Sequence, residues 1–327
     1  KGAMTGKDYT ETLELLESVG KLRVSMAEKR GVVPSDVDER PLHLDKASGK
    51  VIVGHEVRLT TEKWNEQISL LANEAVGKEL REAGLKALYR THPEPTAERL
   101  DAFRELVDAM GVPWKAEQSL GDYIRGLDPK SPLTPVIEIQ AKRVNQPAYY
   151  GTTPTVGHSG LKLQDYAHFT APMRRYTDVI VARILAAKIE GGPNFDPKTA
   201  PYQAEDDRTL EQVAALMDGA RERSGNIAIF SEKVLSAAYF ADKQGETMSG
   251  RIIGLRPGKI QVALDGGPTV SANVSTVNAS GVLQNPSFLA DRGAELVAGD
   301  AHYRMGGEVK LHLDAVKNGR TIFSPAA

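Results

Sequence analysis

At Gly245 the hydrophobic rhythm of this chain changes. Before it, apolar residues recur every three or four positions; after it, they alternate with polar ones. A helix aligns residues three and four apart, whereas a strand sends neighbours to opposite faces, so one segment cannot satisfy both periods. The change divides the 327 residues into a helix-rich part, 1–245, and a strand-rich part, 246–327. The runs Ile260-Gln261-Val262-Ala263-Leu264 and Val309-Lys310-Leu311-His312-Leu313 alternate, and Asn318-Gly319 after the second is a hairpin signal. The predicted fold class is α+β, with the tail closing into a small antiparallel barrel.

Within the first part, residues 8–30 read as a helix capped by Asp8 and ended by Gly31, with Leu13, Leu16, Val19, Leu22 and Met26 as its apolar stripe. Val51, Val53, Val57 and Leu59 alternate as a strand would. The next predicted helix covers 62–88 and turns Trp64, Ile68, Leu71 and Ala75 to the core. Thr96 caps a helix through Leu100, Phe103, Leu106 and Met110, closed by Gly111. Residues 136–150 read as helical and 151–162 as a loop. A helix from Pro172 stops at Gly191-Gly192-Pro193, a polar connection follows over 194–206 with Asp206-Asp207 as a cap, and a long helix spans 209–243.

Composition excludes several classes. There is no cysteine, hence no disulfide scaffold, thiol nucleophile or thiolate metal site, which fits a reducing cytoplasm. No apolar run nears the roughly 20 residues that span a bilayer, so no membrane partner is expected. Lys1-Gly2-Ala3-Met4 leads into a polar helix rather than a signal peptide. Net charge is −2, so nucleic-acid binding needs a local basic cleft. The tail is the weakest RNA-binding prospect: its Lys and Arg barely outnumber its Asp and Glu, and Phe288, Tyr303 and Phe323 are its aromatics.

The densest chemistry lies in Tyr166-Ala167-His168-Phe169-Thr170-Ala171-Pro172-Met173-Arg174-Arg175-Tyr176-Thr177-Asp178. Two guanidinium forks read as the first turn of a helix, where unpaired N–H groups and the positive dipole end also favour phosphate. The whole run from Gly157 to Asp178 resembles the signature of the RNase II/RNase R (RNB) family of exoribonucleases. Leu70-Leu71-Ala72-Asn73-Glu74-Ala75-Val76, Leu88-Tyr89-Arg90-Thr91-His92 and Lys29-Arg30-Gly31-Val32-Val33 are similar to further parts of that family, and the tail is similar to its S1-type, five-stranded OB barrel.

The resemblance implies 3′-to-5′ hydrolysis of single-stranded RNA to nucleoside 5′-monophosphates, with magnesium held by an aspartate cluster. No equivalent cluster is found here, so Mg2+ ligands are expected from a segment upstream, in the same chain or as a separate one. Asp36-Val37-Asp38-Glu39 reads as a turn. By resemblance, Arg174 grips the scissile phosphate and Glu66 contacts the terminal nucleotide; these are the catalytic expectations. RNA contacts are expected from Tyr166, His168, Thr170, Arg175, Tyr176, His158, Asn73 and Arg90, and no residue of this chain is assigned to metal. Pro34 stands where the family has a stacking aromatic, and Glu232 is a further candidate glutamate. The alternative is an RNB-like RNA-binding protein without activity.

Blander roles remain open for several of these residues. Arg174 could pair with Asp178, or Arg175 could brace the helix through Asp178. His158 and His168 fit structural hydrogen bonding as well as RNA contact. Phe169 reads as core and Tyr166 as cleft. Glu66 fits helix surface, and Arg90 could cap helix carbonyls. Lys142 and Arg143 fit either a backbone contact or a charged helix face.

Overall fold

The computed structural model describes residues 9–34, 40–56, 58–154, 156–192, 208–277, 283–284 and 287–326. Asp8, the acidic run 36–39, Val57, the 194–206 connection and Asp206-Asp207 lie outside them. The helix-rich part comprises α1 (Thr10–Lys29), a hairpin of β1 (Leu42–Leu44) and β2 (Val51–Val53), α2 (Thr60–Glu82), β3 (Tyr89–Thr91), α3 (Ala97–Ala109), α4 (Leu120–Arg125), α5 (Thr134–Val144), β4 (Tyr149–Gly151), α6 (Tyr176–Gly191) and α7 (Leu210–Phe240). Strands β3 and β4 pair antiparallel, with Arg90 opposite Tyr150.

Local chemistry explains most boundaries. Thr96 caps α3 by accepting from the Arg99 N–H, and Gly111 follows the helix in a left-handed conformation. Thr209 caps α7 in a reciprocal box with Gln212. Three predicted helices are shorter than expected. α2 stops at Glu82, before Gly84 at φ +67°, so Arg90 sits in a strand and caps no helix. α5 stops at Val144, ahead of the Gln146-Pro147 step that disfavours helix, and Tyr149 and Tyr150 become strand. α6 begins at Tyr176; Pro172 to Arg174 form a separate turn, so both arginines precede the helix.

The buried faces also differ from the predicted stripes. α2 buries Gln67, Asn73, Val76, Gly77 and Leu80, whereas Ile68 and Leu71 are exposed. In α1, Leu22 and Met26 are exposed, while Gly20 lies against Trp64 and Arg23 pairs with Glu74 at 2.7 Å. One core gathers Leu80, Leu88, Tyr89, Ile180, Val181 and Val213 from α2, β3, α6 and α7. A second packs Phe103, Val107, Trp114, Tyr123 and Ile137 from α3 to α5.

The tail forms the expected closed barrel. β5 (Thr247–Arg256), β6 (Lys259–Leu264), β7 (Thr269–Asn273), β13 (Glu308–Lys317) and β14 (Arg320–Pro325) close in the order β13-β14-β7-β6-β5. Its ladders are antiparallel except for a short parallel pairing of β14 with β7. Between β7 and β13 the chain adds a pair, β8 (Thr276–Val277) with β9 (Leu283–Gln284), and a small sheet of β10 (Ser287–Ala290), β11 (Glu295–Ala298) and β12 (Ala301–Arg304). The barrel core takes in Val136 of α5 and Phe240 of α7, so strand-rich and helix-rich parts share one apolar interior. Among the described residues, no helix is long and apolar enough to cross a membrane.

Two glycine substitutions test this packing with opposite signs. A Cβ on Gly77 would lie 2.9 Å from the Tyr166 nitrogen and 3.0 Å from that of Ala167, both backbone atoms. Gly77→Ala is expected to destabilise the chain by about 1–3 kcal/mol in denaturant unfolding. Gly225, inside α7, has nothing within 4 Å of such a Cβ, and Gly225→Ala is expected to stabilise by about 1 kcal/mol. Equal effects of the two changes would contradict the close approach of α2 to the 165–167 segment.

Candidate active site and RNA-contact surface

The segment from Asp165 to Asp178 has little secondary structure of its own, so its backbone polar groups must find partners elsewhere. On one side α2 supplies them. The Asn73 carbonyl accepts from the Ala167 N–H at 3.2 Å, its side-chain Oδ1 from the Phe169 N–H at 2.9 Å, and its Nδ2 donates to the Tyr166 hydroxyl at 3.0 Å. Arg81 Nε donates to Asp165 at 2.7 Å, and the Arg90 N–H of β3 donates to the Tyr166 carbonyl at 2.8 Å.

On the other side is Asp178, 0% exposed. Its carboxylate accepts from the Ala171 N–H at 2.7 Å, from two guanidinium nitrogens of Arg175 at 2.8 Å each, and from the Thr177 hydroxyl at 3.2 Å. Burial alone would raise its pKa, but the Arg175 and Ala171 hydrogen bonds outweigh that and hold it below the ordinary carboxylate value. Arg175 is therefore engaged by the Asp178 carboxylate in this structure. Arg174 is exposed and forms no ion pair or side-chain hydrogen bond among the described residues, and Asp178 pairs with Arg175 instead of with Arg174.

Behind the segment runs a ladder of rings. His92, His158, Tyr166, His168 and Tyr150 meet edge to face with successive centroid separations of 5.0, 5.1, 5.5 and 5.7 Å. The Tyr150 hydroxyl and His168 Nδ1 are 2.8 Å apart. Arg90 lies over the Tyr150 ring at 4.7 Å and reaches Asp218 at 3.4 Å, while the other Asp218 oxygen accepts from the Tyr150 N–H. Burial pushes the Tyr166 phenol up, against the Asn73 hydrogen bond. It pushes His158 down to about 4, helped by His92 and Arg90, and His168 down to about 3, helped by Arg175.

The expected site residues thus divide. Asn73, Tyr166, His158, His168 and Arg90 form one internal scaffold; Tyr166 and Arg90 are buried rather than open to a cleft. Phe169 and Tyr176 pack on the core beneath. Thr170 and Arg174 are exposed at the rim. Glu66 is ion-paired with Arg58 and lines a cleft of about 920 Å³ that also takes in Gln67, Trp114, Lys142 and His158 but not Arg174. Glu66 is still near enough to the scaffold to act on the Tyr166 hydroxyl. Four buried polar atoms on cleft residues, Gln67 Oε1, His158 Nδ1, Arg30 Nε and Arg104 Nε, have no hydrogen-bond partner among the described residues, an arrangement that favours a polar occupant. Glu232 is exposed on α7.

Sequence reasoning missed Tyr150, Asp218 and Gln67. Tyr150 carried a signal, since Pro147 argues against the helix assigned to it; Asp218, inside a long helix, carried none. Among the described residues, no group of three or more His, Asp or Glu is placed to hold a metal ion, and Asp178 is committed to Arg175.

The buried imidazoles give a signed pH dependence. Their folded-state pKa values lie below the ordinary value of about 6.5, so their contribution to stability is complete above that pH and is lost as pH falls toward 4. Between pH 7 and 5 the unfolding free energy is expected to drop by roughly 2 kcal/mol or more. Denaturant titrations of the chain and of His168→Gln check this: the variant should show a shallower fall, and a flat profile in the parent chain would contradict the buried neutral pair.

Comparison with known proteins follows the same lines. The sequence profile described as RNB domain matches residues 2–191. Ribonuclease R 2 of Lactococcus lactis is 26% identical over 321 residues, which cover 94% of this chain and 45% of that protein. Ribonuclease R of Aquifex aeolicus is 25% identical over 324 residues, 96% of this chain and 44% of its own length. The structure of Mycoplasma genitalium RNase R in complex with ribose-methylated single-stranded RNA superposes with a TM-score of 0.80 at 19% identity, over 97% of this chain and 49% of that one. The chain thus spans about half the length of the relatives it matches. With the profile covering more than half of its residues, this chain belongs to the RNB domain family.

Proposed function

We propose that this chain forms the downstream part of a magnesium-dependent 3′-to-5′ exoribonuclease of the RNase R type, acting on single-stranded RNA and releasing nucleoside 5′-monophosphates. The observation that carries the reading is the different fate of two adjacent arginines. Arg175 is consumed by the buried Asp178. Arg174 stays exposed, and unpaired among the described residues, on a turn that Asn73 and Asp178 hold from both sides. A permanently charged fork on a fixed backbone suits a phosphodiester whose negative charge grows during hydrolysis, because little reorganisation is needed when the charge develops. Glu66, held by Arg58, would meet the sugar or base of the terminal nucleotide in the adjoining cleft.

Magnesium would activate the attacking water and neutralise phosphate oxygens. The described residues do not fit such an ion, and its ligands would come from elsewhere in the complete enzyme. A second reading, an RNB-like protein that binds RNA without cleaving it, is favoured by that same lack of ligands.

In the enzyme carrying the metal-bearing part of the fold, Arg174→Ala is expected to lower mononucleotide release by about 100-fold or more with RNA affinity nearly unchanged. Single-turnover assays on end-labelled RNA check this, and normal turnover would remove Arg174 from the chemistry. The chain by itself is expected to bind single-stranded RNA and to release no mononucleotide with magnesium present. Robust release would mean that the metal ligands are in this chain after all.

A further inference from the structure

Two of the side chains that the sequence did not mark meet in one place. Helix α7 buries Leu210 and Ala214, and Asp218 follows at the same four-residue spacing, so the helix carries its carboxylate on the packed face. There it meets the β3–β4 ladder, in which Arg90 and Tyr150 stand opposite each other. One Asp218 oxygen accepts from the Tyr150 N–H at 3.0 Å, and the other accepts from the Arg90 guanidinium at 3.4 Å. That guanidinium covers the Tyr150 ring, 4.7 Å from its centroid. Asp218 thus fixes Tyr150 twice, by its backbone and, through Arg90, by the face of its ring.

The fixed ring has one working end. Its hydroxyl lies 2.8 Å from His168 Nδ1 and 3.4 Å from the Thr177 hydroxyl, whose single proton is drawn to the charged Asp178 carboxylate at 3.2 Å. The phenolic proton therefore has its better acceptor in the nearer imidazole nitrogen. The groups that act on His168 are Arg175, Asp178, Arg90 and His158. Burial and the two guanidinium charges outweigh the one carboxylate and keep the ring neutral. In a neutral imidazole one nitrogen accepts and the other carries the hydrogen. With Nδ1 accepting from Tyr150, the hydrogen belongs on Nε2. Nε2 has no partner among the described residues and is not one of the buried polar atoms that lack one, so it is open to solvent.

We propose that Tyr150 and Asp218 are positioning residues: they lock His168 in the tautomer that offers a neutral Nε2–H to a backbone oxygen of the RNA. The proposal rests on the RNA reading above and adds two residues that never touch the strand. Each acts through the imidazole. The other tautomer would present a bare nitrogen, which repels the lone pairs of a phosphate or ribose oxygen. A donor whose orientation and hydrogen are set beforehand loses little freedom on binding, which is what a supporting layer of hydrogen bonds contributes to a site.

The test uses the chain as it stands. Proton–nitrogen correlation NMR on isotope-labelled imidazoles reads the tautomer near neutral pH, with His168 identified by the signal missing from His168→Phe. Anisotropy with labelled oligouridylate and its deoxy counterpart reads affinity. Tyr150→Phe keeps the ring and removes only the hydroxyl; Tyr149→Phe, on the opposite and exposed face of β4, is the control. The parent and the control are expected to carry hydrogen on Nε2 alone, and Tyr150→Phe to show both tautomers. His168→Phe and Tyr150→Phe should each weaken RNA binding about 5-fold, the loss of one neutral hydrogen bond. The double variant should be no weaker than His168→Phe, because the hydroxyl acts only through that ring. Asp218→Ala should match Tyr150→Phe in both readouts, and Asp218→Asn, which restores an acceptor for the Tyr150 N–H, should bring the Nε2 tautomer back. A loss shared by both oligomers assigns phosphate as the acceptor; a loss confined to the ribo-oligomer assigns the ribose hydroxyl. Hydrogen on Nδ1 in the parent overturns the proposal, as do parental affinity in Tyr150→Phe or additive losses in the double variant. A folded Asp218→Ala protein with the parental tautomer removes Asp218. If the parent binds neither oligomer, the RNA reading fails and the positioning role with it; if it binds and His168→Phe matches it, the positioning role alone fails.

Discussion

The buried carboxylate of Asp178 is the interaction on which the rest of the site depends. An ionised group out of water must be fully satisfied, and removing one partner of such a pair typically costs about 3–5 kcal/mol. Here the donors come from three places at once: the Arg175 fork, the Thr177 hydroxyl and the Ala171 backbone. Satisfying the carboxylate therefore ties the turn preceding α6 to the first turn of that helix. Asn73 does the equivalent from α2, spending its backbone carbonyl and both ends of its side-chain amide on residues 166–169. Between these two clamps a segment with almost no regular structure has a fixed path.

Fixing that path separates the two arginines. If Asp178 were a neutral side chain, Arg175 would be as free as Arg174, and the segment would carry two mobile charges on a loosened turn. As built, one guanidinium is structural and raised further in basicity by the carboxylate, and the other is left to the surface. The ring ladder behind them works in the same sense. His158 and His168 are kept neutral by burial and by the nearby cations Arg90 and Arg175, so the positive charge on this face comes from arginine and does not vary near neutral pH.

Much of this was legible in the sequence, but unevenly. The period change at Gly245 located the barrel, because alternation and helical spacing are incompatible. The Thr96 and Gly111 boundaries were legible because capping chemistry is local. Helix lengths were overestimated where apolar residues continued past a stop. Leu85 and Leu88 look helical but lead into β3, and Gly84 was the informative residue. Pro172 suggested a helix start, yet the Ala171 carbonyl accepts from the Arg174 and Arg175 N–H groups and closes a turn first. The split between Arg174 and Arg175 was only half visible: the spacing to Asp178 offered two pairings, and burial of Asp178 chose one. Asp218 beneath Arg90 was not visible at all, since it is 128 residues away in sequence and nothing local marks it.

Charge segregation in the barrel was hidden for a related reason. A count of charges gives near balance and says nothing about which ones neutralise each other. In the fold, Arg251, Arg292 and Arg304 find carboxylates, while Arg256 and Lys259 at the β5–β6 hairpin and Lys317 and Arg320 at the β13–β14 hairpin form no ion pair among the described residues. The position of the barrel against the helices is set by apolar burial rather than by charge. Val136 of α5 and Phe240 of α7 are part of the barrel core, and Gln140 donates to the Ile253 carbonyl at 2.6 Å. Because α5 is inserted into the barrel interior on one face and carries Lys142 and Arg143 beside it, any rotation of the barrel would have to empty a hydrophobic core. The shared core therefore holds the cations of two structural units in one register, which neither the helical part nor the barrel could establish alone.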